Sequence, residues 1–101
     1  MKKTVSLLKN TELEKECKKL TLWSRNKKQT ELSRIFTFNG HIDALVFIAR
    51  ITVHAQVLTH HPEILFTYAK VKVILTTHDV KGITKLDIDL AKRIDALYIG
   101  G

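Results

Sequence analysis

Cysteine, proline, methionine and tryptophan each occur once in 101 residues, and glycine only four times. The lone thiol, Cys17, excludes an internal disulfide and any multi-cysteine metal centre, and fits a reducing compartment. No repeat, low-complexity tract or interdomain linker interrupts the chain. No apolar run approaches transmembrane length. Lys2 and Lys3 precede an apolar stretch, Val5 to Leu8, that Lys9 ends too soon for the core of a signal peptide. The expectation is a cytoplasmic chain with no membrane attachment. It forms a single domain over residues 1–101, with residues 1–9 as a loose N-terminal arm. A chain of this length buries roughly two thirds of its unfolded surface and needs no covalent staple.

What is abundant is positive charge. The net charge is +7, from 17 Lys and Arg against 10 Asp and Glu. It is lopsided. Residues 1–40 hold ten basic against four acidic side chains, while residues 41–101 hold seven against six. A basic half suits an anionic partner. However, Lys15, Lys18 and Lys19 interleave with Glu12, Glu14 and Glu16, as on a solvated helix. Arg25, Lys27, Lys28 and Arg34 also lack the aromatic neighbours that stack bases. No nucleic-acid role is expected.

Periodicity then sets out the elements. Thr11 and Glu14 stand at capping-box spacing and predict a helix to about Leu20, with Leu13, Cys17 and Leu20 on its apolar stripe. Leu22 to Ser24 and Glu31 to Phe38 read as a hairpin of two strands, the second burying Leu32, Phe36 and Phe38. Asn39 is a candidate N-cap for a long helix from His41 to about Thr59. There Ile42, Leu45, Val46, Ala49, Val53, Gln56 and Val57 recur at three and four, predicting the face that lies on a sheet. Ile64 to Tyr68 and Val71 to Thr77 form a second hairpin around Ala69 and Lys70. A last helix opens at Thr84, with Asp87 at its third position, buries Ile83, Leu86, Leu90, Ile94 and Leu97, and ends at Gly100 and Gly101. The order α-β-β-α-β-β-α with short links predicts an α+β fold: a four-stranded antiparallel sheet with three helices packed on one face. Its edge strands require guarding charge or a second copy.

Histidine carries the chemistry. Three of the five lie in two short segments, Thr59-His60-His61-Pro62-Glu63 and Thr76-Thr77-His78-Asp79. Imidazole changes charge near neutral pH, so such a cluster suits proton transfer. Pro62 pushes His61 out of the helical region, which places the pair on the shoulder of the long helix. A zinc site from His60, His61 and His78 is disfavoured, because adjacent residues seldom face one ion and no thiol or clear carboxylate joins them. No metal is expected. Cys17 belongs to an apolar stripe and is no nucleophile, and His41 and His54 read as ordinary surface or boundary residues. Metal-free acid–base work remains, with Thr76, Thr77, Asp79 and Asp87 available to orient a substrate. Asp87 is also a helix cap by position.

His60-His61-Pro62-Glu63, Tyr68, Val71 to Asp79, Gly82-Ile83-Thr84 and Asp87 to Ala91 together resemble the pterin-4a-carbinolamine dehydratases. Trp23, Leu32 to Phe38 and Ala44, Phe47 and Arg50 extend the resemblance over about Leu20 to Asp95. It implies removal of water from 4a-hydroxytetrahydrobiopterin to give the quinonoid dihydropterin in cofactor recycling. The pterin would be the substrate, with no cofactor or metal. A homodimer or homotetramer is implied, as is functional contact with an aromatic amino acid hydroxylase. By this resemblance His60 and His78 form the proton-transfer pair, and His61 binds and orients the pterin. Gln56, Thr59, Pro62, Thr76, Thr77 and Asp87 make up the expected substrate-binding shell. Gln56 stands where the family usually has Glu, and Ile64 where it commonly has Trp; the first removes a charge and the second a stacking wall. The alternative is a non-catalytic interaction protein on the same fold, either a dimerisation cofactor of a transcription regulator or a Rubisco assembly factor.

Overall fold

The computed structural model describes residues 6–98. Its order is α1 (Asn10–Lys19), β1 (Ser24–Arg25), β2 (Leu32–Thr37), α2 (His41–Leu58), β3 (Glu63–Thr67), β4 (Lys70–Leu75), a 3₁₀ turn (His78–Val80) and α3 (Lys85–Leu97). The strands form one antiparallel sheet in the order β1-β2-β4-β3. This is the expected α+β fold. Leu32, Phe36, Val71, Val73 and Leu75 alternate onto the face that the helices cover and are essentially inaccessible there. The register places Val73 between Arg34 and Ile64 and Val71 between Phe36 and Phe66, so rows of side chains cross three strands. Residues of the other parity, including Ile35 and Leu65, stay exposed on the uncovered face.

Helix α2 lies on the sheet through the face opposite to the expected one. Ala44, Phe47, Ile51 and Ala55 are its buried residues. Ile42, Leu45, Val46, Ala49, Val53, Gln56 and Val57 point outward. Both faces are apolar at helical spacing, so periodicity alone could not choose between them. Ring packing explains the choice: Phe47 meets Phe36 at 4.8 Å and Phe38 at 5.0 Å between centroids, beside Tyr98. Small Ala44 and Ala55 let the helix approach. With 18 residues and a mean hydropathy of 1.3, α2 is also long and apolar enough to cross a membrane, contrary to the expectation of no such run.

Several helix ends differ from their predicted form. Helix α1 is preceded by Lys9 in the capping position and α2 by Gly40, neither with a side-chain cap. Thr11 and Asn39 therefore do not serve as caps. Helix α3 keeps its full capping box between Thr84 and Asp87. It ends at Leu97; Gly100 and Gly101 lie outside the described residues. Of the N-terminal arm, Leu7 bridges Thr84 and the Leu8 N–H donates to the Ile83 carbonyl at 3.1 Å. β1 is two residues long and starts at Ser24, because Trp23 turns inward to give its indole N–H to Asp95 at 2.8 Å. Arg34 reaches the same carboxylate at 2.7 Å and lies over the Phe36 ring.

The assignment of α2's faces is checked by urea denaturation. Phe47→Ala should cost about 3–5 kcal/mol, and Arg50→Ala, on the outward face, less than about 0.5 kcal/mol.

Candidate active site

Helix α2 ends in a way that aims the two adjacent histidines. Thr59 adopts a left-handed conformation (φ 46°), rare for a β-branched residue. Its N–H closes on Gln56 O, and the N–H of His60 returns to Ala55 O at 3.0 Å. This reversal at the helix end caps the last carbonyls as glycine usually does. A strained residue held immediately before two adjacent histidines makes this helix end a candidate site. His60 is thereby turned inward and buried, and His61 stays in the open before Pro62 starts the extended approach to β3.

The buried side is organised by Asp87, whose side chain has no exposed surface. His60 Nε2 donates to Asp87 Oδ1 at 2.5 Å. The other oxygen, Oδ2, accepts from Thr77 Oγ1 at 2.8 Å and from the Thr84 backbone N–H at 2.9 Å. Since the single Thr77 proton goes to Asp87, the 2.8 Å contact between the two threonine hydroxyls has Thr84 donating to Thr77. Thr84 in turn accepts from the Leu86 N–H at 3.2 Å. The protons run one way, from the first turn of α3 through Thr84 and Thr77 to the carboxylate. Among the described residues no buried side-chain nitrogen or oxygen lacks a partner.

Asp87 is thus both the capping residue of α3 and the anchor of His60. That second role supplies the carboxylate partner that the sequence reading did not give the histidines. Thr84, read there only as a cap, also belongs to the network. Thr77 carries the anchor into the neighbouring segment, where His78 follows directly. His78 is exposed and opens the 3₁₀ turn, which ends on left-handed Lys81 (φ 55°). The segments of His60, His78 and Asp87 are therefore tied together through one carboxylate.

The remaining expected residues divide. His61 Nε2 contacts Gln56 Oε1 at 3.0 Å on the surface. Thr76 gives its hydroxyl to Thr30 O at 2.7 Å and so holds the β1–β2 loop. Thr59 turns its hydroxyl to the Leu58 carbonyl, Pro62 is half-buried, and Asp79 is exposed. Burial pushes the Cys17 thiol up from its ordinary pKa, with Glu14 and Glu16 adding to the effect and Arg25 opposing it. It stays a protonated, unreactive thiol. Among the described residues no group of three or more His, Cys, Asp or Glu side chains could hold a metal ion. His41 lies apart, stacked on Phe66 and Tyr68 at 4.8 and 5.4 Å and hydrogen-bonded to Tyr68 O.

Fold and site define a small α+β protein with a buried Asp–His pair beside two exposed histidines. The chain belongs to the Pterin 4 alpha carbinolamine dehydratase family, which it matches over residues 6–97. A relative bearing the family's name in Nostoc punctiforme is 36% identical over 91 residues, covering 90% of this chain and 96% of its own. One in Haloarcula marismortui is 41% identical over 76 residues, covering 75% and 80%. The crystal structure of a transcriptional coactivator/pterin dehydratase from Brucella melitensis superposes with a TM-score of 0.86 at 32% identity, over 91% of this chain and 98% of that one. A pterin dehydratase-like Rubisco assembly factor of the alpha-carboxysome shares the fold, with a TM-score of 0.65 at 22% identity over 74% and 87%.

Asp87→Ala should lower stability by about 3–5 kcal/mol, since it strips a buried histidine and a helix end of their partner. Asp79→Ala should change it by less than about 0.5 kcal/mol. Thermal and urea unfolding monitored by circular dichroism compare the two.

Proposed function

We propose that the protein dehydrates 4a-hydroxytetrahydrobiopterin to the quinonoid dihydropterin, by metal-free acid–base catalysis from histidine. The observation that carries this reading is the His60–Asp87 bond. With Nε2 committed to the carboxylate, His60 has Nδ1 left for a ligand, and Asp87 stabilises the imidazolium formed when that nitrogen takes a proton. An acid of this kind suits a leaving hydroxyl. His78, exposed next to Thr77, is the second member of the pair. In the reaction the C4a–O bond breaks, and the departing oxygen takes a proton from one imidazolium and leaves as water. N5 gives its proton to the other imidazole, and its electron pair forms the new N5=C4a bond. His61 binds and orients the pterin. Thr77 acts from behind, through Asp87. The family match and the agreement with the Brucella structure support the general activity; the histidine roles rest on the site's geometry.

The protein would work in the cytoplasm as one domain over residues 1–101, on a pterin made available by an aromatic amino acid hydroxylase. A homodimer or homotetramer is part of the proposal. The edge strand β3 has one unpaired side, and the outer α2 stripe leaves Ile42, Val53 and Val57 roughly two-thirds exposed. That same stripe favours a second reading, in which the fold serves mainly as an interaction protein.

The test follows decay of enzymatically generated 4a-hydroxytetrahydropterin by absorbance. The wild type should accelerate it, and His60→Ala and His78→Ala should each lose about 10²–10⁴-fold. No acceleration by folded wild type would leave the interaction reading. Sedimentation equilibrium should give two or four copies, and a monomer at micromolar concentration would remove the assembly from the proposal.

A further inference from the structure

Among the described residues, Gln56 supplies the side-chain hydrogen bond that holds His61, the exposed member of the adjacent histidine pair. Gln56 lies in the last turn of α2, on the exposed face that also carries Thr52, Val53 and Val57. Its Oε1 is 3.0 Å from His61 Nε2. A neutral imidazole has one N–H and one bare nitrogen, and whichever is bound by the protein fixes the other. An amide oxygen accepts and cannot donate. The contact therefore selects the Nε2–H form of His61 and leaves Nδ1 as a lone-pair acceptor.

We propose that Gln56 is a positioning residue that holds His61 in its Nε2–H tautomer, so that His61 presents Nδ1 as an acceptor to an N–H or O–H of the ligand. His60 and His61 then use the same nitrogen toward the protein for different ends. Behind His60 is a buried carboxylate, which stabilises an added proton on the ring. Behind His61 is a neutral amide, which orients the ring without stabilising that charge. The division suits His60 to proton transfer and His61 to reading a hydrogen on a bound heterocycle. The identity of that heterocycle rests on the dehydratase reading; the tautomer does not.

Long-range ¹H–¹⁵N correlation spectra of the histidine side chains, recorded on the ligand-free protein, test the first part. At a pH at which His61 is neutral, its Nε2 should resonate as a protonated nitrogen and its Nδ1 as a bare one. Gln56→Leu should lose this single-tautomer signature, and Gln56→Glu, which keeps an oxygen acceptor, should retain it. A wild-type His61 carrying its proton on Nδ1, or a signature unchanged in Gln56→Leu, would overturn the proposal. Steady-state kinetics on 4a-hydroxytetrahydropterin test the second part. Loss of one orienting hydrogen bond in Gln56→Leu should raise KM by about fivefold with a smaller change in kcat, and Gln56→Glu should restore it. An unaltered KM would refute the positioning role. If the wild type neither binds nor dehydrates a pterin, the functional reading fails, and the spectra decide the tautomer claim independently.

Discussion

A carboxylate without solvent must receive donors from the protein, or its burial costs several kcal/mol. Asp87 receives three: His60 on one oxygen, and Thr77 and the Thr84 backbone on the other. Each donor comes from a different stretch of chain. The end of α2 brings His60, the segment after β4 brings Thr77, and the start of α3 brings Thr84. Satisfying this one group fixes how the three meet. The capping of α3, the docking of the α2 terminus and the placement of the proton-transfer candidates are thus one structural requirement.

Much of this was legible in the sequence because it is local. The capping box of Thr84 and Asp87 is a spacing rule and was readable as such. The alternation of Val71, Val73 and Leu75 gave β4 its buried face, and Pro62 marked where the helix must already have ended, with the histidines on its shoulder. The His60–Asp87 bond was not readable, since 27 residues separate the partners and no short-range pattern encodes the pairing. Nor could it be read that Thr77 faces the carboxylate while its neighbour Thr76 faces Thr30. Adjacent residues of an extended segment point to opposite sides, but only the fold says what lies on each side.

Helix α2 shows a different limit. Its sequence carries two apolar faces, one with Phe47 and Ile51 and one with Val46, Val53 and Val57. Periodicity fits both. The core chose the face whose alanines permit close approach and whose phenylalanine completes a ring cluster with Phe36 and Phe38. The outer face is left as a row of aliphatic side chains that also contains Gln56. The exposed aliphatic row is therefore continuous with the residue hydrogen-bonded to His61.

The most direct test of the account concerns the proton between His60 and Asp87. The hydrogen that buried His60 Nε2 donates to buried Asp87 Oδ1 should give a far-downfield ¹H resonance, bonded to ¹⁵N and slow to exchange with water. The account predicts that this signal is present in the wild type, survives Asp79→Ala, and is absent in both His60→Gln and Asp87→Ala. A wild-type spectrum without it, or one in which the His60 side chain exchanges freely, would contradict the claim that Asp87 anchors His60 and organises the site.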